Sequence, residues 1–168
     1  MSDMILRKYK ATSIFLFLLA ALVLCSCGKK EADISAYANE TITISGLTEE
    51  EFTVTPKDLL ALECVSRSAT GATAKAGTVS ATGPLLNTFL AQYDCAATDF
   101  FKIRFIAKDG YRTLLRDEYL SDYEVVLAAS SGSEPLPEDS QPLRLLIPGA
   151  ESNMWIYGVV RIEFERAQ

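Results

Sequence analysis

Histidine is absent from this chain of 168 residues. Imidazole is the usual general base of serine hydrolases and the commonest neutral metal ligand, so sites that depend on histidine are excluded. Ser66 and Ser68 lie in a stretch rich in Ser, Thr and Ala, but neither is part of a Gly-x-Ser-x-Gly elbow. We therefore interpret this stretch as a solvated hairpin and not as the site of a nucleophile.

The chain also lacks a cluster of basic residues of the kind that binds nucleic acid. Its formal net charge is -6, and removal of residues 1–26 would take away three basic side chains and one acidic one, leaving a net charge near -8. Nucleic acid is therefore excluded as a partner. An acidic surface also suits a protein that must not adhere to anionic lipid.

Long hydrophobic runs are almost absent as well. Ala11 to Leu24 is an uncharged apolar run of 14 residues, which is short for a membrane-spanning helix but typical of the apolar region of a signal peptide. The residues before it carry the expected positive charge, at Arg7, Lys8 and Lys10. We predict a signal peptide over residues 1–26, with an uncleaved anchor as the alternative.

The residues that follow this run resemble a bacterial lipobox, Leu24-Cys25-Ser26-Cys27-Gly28. Cys27 fits the lipidated position because the small Ser26 precedes it, whereas the bulky Leu24 directly precedes Cys25. A multiply acylated cysteine holds a protein firmly on a membrane. The sequence thus predicts a lipoprotein on the extracytoplasmic face of a bacterial membrane, with a flexible tether over residues 27–39 and one domain over residues 40–166.

Two cysteines remain beyond the lipobox, Cys64 and Cys95. A disulfide is permitted outside the cytoplasm, and both cysteines are predicted just past the ends of short helices. Spacing alone does not place two α-carbons within bonding range. The sequence leaves two alternatives open, which are a disulfide between Cys64 and Cys95 or two buried free thiols.

Short strands dominate the predicted secondary structure. Phe101 to Phe105 alternates apolar and charged residues before the Asp109-Gly110 turn, and Val125 to Ala129 and Leu143 to Ile147 are apolar without alternation, as in strands covered on both faces. Pro56 and Pro84 mark the starts of two short helices. The expected fold class is α+β, mostly β, with mixed sheets and two or three short helices.

The order of several motifs resembles the oxidoreductase molybdopterin-binding domain, which has the sulfite-oxidase-type fold. These motifs are spread over most of Glu40 to Phe164 and read I-T-I-S-G-L, P-K-D-L-L, T-G-P-L-L-N-T-F-L, D-G-Y, V-V-L-A-A, G-S-E-P-L-P, Q-P-L-R-L-L-I-P-G and V-V-R-I-E-F. The resemblance implies a domain in which a cysteine thiolate binds molybdenum and basic side chains bind the anionic pterin.

This sequence departs from that pattern at the positions that matter most. If Val65 to Thr70 is the family's cysteine-bearing strand, the ligand position falls near Gly71, where there is no thiol. Met154 and Tyr157 stand where the family usually has lysines. Cys64, in Cys64-Val65-Ser66-Arg67-Ser68, is the alternative metal ligand. The basic residues of the domain lie on alternating strands or polar turns, where we expect solvated or ion-paired roles: Arg104, Arg112, Arg116 and Arg144.

The signal peptide gives a separate indication. Extracytoplasmic members of the family generally receive their cofactor in the cytoplasm and leave already folded, with a twin-arginine signal. The stretch from Leu6 to Lys10 has one arginine and precedes a very apolar run. It is typical of unfolded export, which indicates a protein without that cofactor.

The sequence thus favours a membrane-tethered module that keeps the fold, has lost the metal centre and binds a small ligand or a surface protein, and that is not an enzyme. A molybdopterin-dependent oxidoreductase with Cys64 as the metal ligand is the alternative, and a purely structural surface protein is a third possibility. The expected ligand site is a cleft between Gly71 to Gly83 and Ala150 to Tyr157. Trp155 and Tyr157 either line this cleft or pack in the core.

Overall fold

The computed structural model describes residues 31–71 and 77–166, apart from the side chains of residues 117 and 118. The predicted signal peptide and Cys27 lie outside the described residues. Within the described ranges, no helix is long and apolar enough to cross a membrane.

Strands account for most of the regular structure, as the sequence predicts. The strands of the described residues are β1 (Ile42–Ser45), β2 (Phe52–Val54), β3 (Cys64–Thr70), β4 (Thr78–Pro84), β5 (Lys102–Ala107), β6 (Arg112–Arg116), β7 (Val126–Ala128), β8 (Arg144–Leu146) and β9 (Val159–Glu165). The α-helices of the same residues are α1 (Pro56–Leu60), α2 (Leu86–Leu90) and α3 (Asp117–Asp122). Four 3-10 turns lie at Ala91–Tyr93, Ala97–Asp99, Glu138–Ser140 and Ser152–Met154.

The larger sheet has five strands in the order β2-β1-β9-β5-β6. β1 runs parallel to β9, whereas the other neighbours are antiparallel, so the sheet is mixed. Ile42, Ile44, Ile103, Phe105 and Ile162 alternate with polar residues and are buried. This period of two follows from side chains pointing to opposite faces along a strand, and it places one face of the sheet on the core.

Two hairpins form the second β layer. β3 pairs with β4, and β7 pairs with β8. Isolated bridges join the hairpins at Thr82 with Ser130 and at Leu85 with Val126. β7 and β8 are buried at every residue, which agrees with the unalternating apolar runs of the sequence.

Helix α1 begins as its sequence predicts. The Thr55 side chain accepts a hydrogen bond from the Asp58 backbone, and the Asp58 carboxylate accepts one from the Thr55 backbone. This capping box satisfies two backbone donors at the first turn. The hydrogen bonds from Thr55 lower the pKa of Asp58.

One close approach of the backbone requires glycine in the larger sheet. Gly46, after β1, has a φ of +74°, and a Cβ built on it would lie 2.0 Å from the carbonyl oxygen of Phe164. No side chain fits in that space, so β1 and the end of β9 can pack together only with glycine here.

The domain begins earlier than the predicted boundary at residue 40. Tyr37 is 1% exposed. Its hydroxyl donates to the carbonyl oxygen of Ala129 at 2.9 Å and accepts from the backbone N–H of Leu136 at 2.8 Å. The predicted tether over residues 27–39 therefore ends before Tyr37. This stretch is polar and lacks periodicity, so no sequence pattern indicated that Tyr37 is buried and anchors it.

Candidate functional site

A groove of about 640 Å³ opens at one end of the larger sheet. One wall is the turn between β5 and β6, including Lys108, Asp109 and Tyr111, and the others are the turn at Glu138 and Asp139 and the loop from Ser152 to Gly158. Five residues of the Ala150 to Tyr157 loop line this groove, namely Ser152, Asn153, Trp155, Ile156 and Tyr157. The described residues of the Gly71 to Gly83 segment do not line this groove, because β3 and β4 belong to the other β layer.

Trp155 and Tyr157 both line the groove. Trp155 is 4% exposed, and its indole N–H donates to the carbonyl oxygen of Ile147 at 3.0 Å, so it is at once a core residue and part of the groove wall. Tyr157 is 40% exposed. Tyr157 therefore mainly lines the groove, whereas Trp155 mainly packs in the core.

Tyr111 is a lining residue that the sequence did not single out. Its ring is 51% exposed, and its hydroxyl donates to the carbonyl oxygen of Asn153 at 3.1 Å. This bond joins the β5–β6 turn to the opposite loop. It holds the Tyr111 ring beside the groove, where an exposed aromatic side chain is available to a ligand.

Gly158 joins three segments in the groove wall. Its N–H donates to the Ser140 carbonyl oxygen at 3.2 Å, and its own carbonyl oxygen accepts from the Lys108 N–H at 2.9 Å. Its φ is +61°, and a Cβ built on it would lie 2.9 Å from the Asp139 carbonyl oxygen. Glycine is therefore needed both for the backbone conformation and for the space.

The groove is acidic. Asp109, Glu138 and Asp139 are acidic residues of its lining. The lysine of the lining, Lys108, forms a salt bridge with Glu40 at 2.9 Å, which offsets its positive charge.

Arg144 lies beneath this site and contradicts the predicted surface role. It is 8% exposed, its Nε has no hydrogen-bond partner, and its guanidinium lies 4.3 Å from the centre of the Tyr157 ring. Burial lowers the pKa of Arg144, against the opposing effects of Tyr157 and Asp139. The signal was present in the sequence, because a strand apolar on both faces leaves no solvated position for a charge.

The other arginines agree with the prediction. Arg104 forms a salt bridge with Glu163 across the larger sheet. Arg112 and Arg116 are exposed, and Arg116 lies 5.8 Å from the ring of Phe101.

Cys64 and Cys95 are free cysteines with separate partners and are half-buried, so of the two alternatives the structure has the free thiols. The Cys64 sulfur lies 3.8 Å from the Leu59 carbonyl oxygen, at the end of α1. The Cys95 sulfur lies 3.3 Å from the Tyr93 carbonyl oxygen and accepts a hydrogen bond from Arg166 at 3.1 Å. Each thiol thus stays with the turn that ends its own helix.

Cys64 is the first residue of β3, and Gly71 follows the last. The position predicted for the family's ligand, near Gly71, is at the opposite end of that strand. Burial raises the pKa of Cys64, which favours the thiol over the thiolate.

Ser66 and Ser68 lie on a hydroxyl-rich face of the β3–β4 hairpin. Ser66 bonds to Thr82 at 2.8 Å and Ser68 bonds to Ser80 at 3.1 Å, each through its hydroxyl oxygen. These cross-strand pairs are exposed and account for the polar composition of the hairpin.

The comparison with known families decides the classification. The family model described as the oxidoreductase molybdopterin binding domain matches residues 30–168. The chain belongs to this family. The predicted resemblance and the sulfite-oxidase-type fold are thereby confirmed, and no curated protein matches the chain.

A solved structure shows the same fold. The sulfane dehydrogenase SoxCD from Paracoccus pantotrophus superposes with a TM-score of 0.62 at 22% identity. The match covers 82% of this chain and 40% of the SoxCD chain, so this chain spans about two fifths of that protein's length. At this identity the likeness establishes the fold alone.

The described residues can be compared with the chemistry of the family's metal centre. The metal ligand of the family is a cysteine thiolate, and the Cys64 sulfur lies 3.8 Å and 3.9 Å from the carbonyl oxygens of Leu59 and Leu60. An anionic pterin needs cations, whereas the groove presents carboxylates and an ion-paired lysine. The unpartnered Nε of Arg144 is the one feature here that suits an anion. The described lining of the groove thus contains no thiol, and its lysine is ion-paired.

Proposed function

We propose that this chain is a membrane-anchored extracytoplasmic lipoprotein that has lost the molybdenum centre of its family and acts as a ligand-binding or accessory module. Its anchor is the lipidated Cys27, and its ligand site is the groove beside Trp155 and Tyr157. Clefts in a retained scaffold persist when the chemistry is lost, because the fold and the site are separable.

The chemistry of the groove is the observation that carries this proposal. Its lining combines exposed aromatic rings with three carboxylates, and its lysine is already paired. Such a lining can bind a ligand but supplies neither a metal-binding thiolate nor an electropositive cradle.

A second candidate is a molybdopterin-dependent oxidoreductase in which Cys64 ligates the metal. Family membership favours it, and so does the buried Arg144, whose Nε has no hydrogen-bond partner and is available to a bound anion. In this case the Cys64 thiol would have to ionise when the cofactor binds.

Molybdenum and pterin content separates the two candidates. Residues 31–168, which form one compact unit, would be produced in the cytoplasm of a host that makes molybdenum cofactor. We expect a folded protein with neither molybdenum nor pterin above the background of an unrelated purified protein.

Two matched variants identify the source of any metal. Stoichiometric molybdenum that disappears in Cys64→Ser and persists in Cys95→Ser would establish the oxidoreductase and overturn our proposal. Molybdenum that survives both substitutions would also overturn it, while excluding Cys64 as the ligand.

A further inference from the structure

We infer that the groove binds a small organic cation with an ammonium group. This inference rests on the proposed function, because it specifies the ligand of the same site. It reverses the charge of the ligand that the fold family implies.

Aromatic rings supply the first part of the argument. Tyr111 and Tyr157 are exposed by 51% and 40%, and Trp155 forms part of the wall between the loops. The faces of such rings carry partial negative charge and attract cations, most strongly when water is excluded. One cation already uses this property, because the Arg144 guanidinium lies over Tyr157.

Charge supplies the second part. Asp109, Glu138 and Asp139 line the groove, and Lys108 is offset by Glu40. With Arg144 counted beside Tyr157, the lining and its immediate neighbours remain net negative. A cation is therefore favoured at this site and an anion is disfavoured.

The geometry favours a small ligand. The groove volume of about 640 Å³ is within the usual range of small-molecule sites, about 300–1,000 Å³. The bond between the Tyr111 hydroxyl and Asn153 fixes one ring before any ligand arrives. Such preorganisation reduces the entropy lost on binding.

The same ammonium chemistry has two sources, a free solute and a lipid headgroup. The Glu40–Lys108 salt bridge places the N-terminal segment, which leads back to Cys27, beside the groove. A soluble ammonium compound and a lipid with the same headgroup distinguish these two sources.

Tryptophan fluorescence gives a direct test, because the chain contains one tryptophan and it lies in the groove wall. The full chain, purified in a non-ionic detergent, would be titrated with choline, with its neutral isostere 3,3-dimethylbutanol, and with phosphatidylcholine added to the micelles. Calorimetry would accompany each titration so that binding without a fluorescence change is detected.

We expect saturable binding of choline, at least about tenfold tighter than that of the neutral isostere. Binding confined to phosphatidylcholine, and absent with phosphatidylglycerol, would support the inference and identify a headgroup as the source. Equal binding of choline and its isostere, or no saturable signal from choline or phosphatidylcholine, would overturn it.

Three variants locate the site. Asp139→Asn and Tyr157→Leu are expected to weaken binding by about threefold to thirtyfold, the range of a single cation–aromatic contact. Glu49→Gln removes an exposed carboxylate outside the groove and is expected to leave the affinity unchanged. Equal losses in all three variants would overturn the assignment to the groove.

A metal-free protein that fails to bind cations would refute only this inference, whereas a molybdenum-loaded protein would refute the proposed function.

Discussion

Arg144 carries a charge that the fold buries without a partner for its Nε. Removing a charge from water costs several kcal/mol unless a counter-charge or hydrogen bonds compensate for it. A neutral side chain of similar length keeps most of the packing without that cost.

We therefore predict that Arg144→Met leaves the free energy of unfolding unchanged or raises it by up to about 2 kcal/mol. Urea denaturation of the purified domain measures this. A loss of more than about 2 kcal/mol would show that the guanidinium is paired, and would favour a bound anion.

Glu163 is a residue whose ionisation stabilises the fold. Burial acts to raise its pKa, but hydrogen bonds and charge from Arg104 and Arg161 outweigh this, and its pKa lies below the ordinary value of 4.5. A carboxyl group with a lowered pKa stabilises the folded state above its unfolded pKa, and this contribution is lost as the pH falls through the folded pKa.

The predicted result for Glu163→Gln is a pH-dependent loss of stability. At pH 7 the variant should be less stable by about 1 kcal/mol, the upper range for partly exposed ion pairs. The difference should shrink steadily below about pH 4.5. Denaturation of both proteins between pH 3 and pH 7 checks this, and a difference that stays constant would exclude the assigned role.

Gly158 and Gly110 form a matched pair at the residue scale. Both have a positive φ, but of the two only Gly158 would bring an added methyl group against backbone, 2.9 Å from the Asp139 carbonyl oxygen. Gly158→Ala should cost about 2–3 kcal/mol, and Gly110→Ala about 1 kcal/mol, as measured by thermal or urea unfolding. Equal losses of stability in the two variants would mean that the groove wall shifts to make room for the added methyl group without a loss of stability.

At the scale of elements, the N-terminal segment is anchored by Tyr37. Its hydroxyl serves two backbone groups at once, the Ala129 carbonyl and the Leu136 N–H. A buried backbone group that loses its partner costs about 1–3 kcal/mol.

Tyr37→Phe should therefore lower the free energy of unfolding by about 2 kcal/mol. Tyr111→Phe, which removes an exposed hydroxyl with one partner, is the matched control and should change it by less than about 0.5 kcal/mol. If Tyr37→Phe leaves the free energy of unfolding unchanged, the N-terminal segment does not unfold together with the rest of the domain.

Elements with a clear period were predictable from sequence. Ile103 and Phe105 alternate with charges, and Thr55, Pro56 and Asp58 carry the signals of a helix start, so β5 and α1 were identified correctly. These signals are local, and the structure preserves them.

The groove depended on contacts between distant segments and was only half predicted. Trp155 and Tyr157 were identified because large aromatic residues precede a strand. Tyr111 and Asp139 reach the groove through the pairing of β5, β6 and β9 and through a turn that follows β7, which no local pattern specifies. Arg144 was wrongly predicted to have a surface role because the prediction considered its charge and not the apolar residues on either side of it.

On the scale of the whole molecule, we propose three features: a lipid on Cys27, a family fold that has lost its metal centre, and a groove that binds a small ligand. The first two change the mass of the protein in different and predictable ways. Replacing Cys27 by Ala should remove the lipid and release the protein from the membrane fraction, while Cys25→Ala should not.

Native mass spectrometry of the full chain, extracted in detergent from a bacterial host that makes molybdenum cofactor, tests the central claim most directly. We predict one species with the mass of residues 27–168 plus acyl groups, and with no bound pterin or molybdenum. A species heavier by the mass of the cofactor, and lost in Cys64→Ser, would contradict the account.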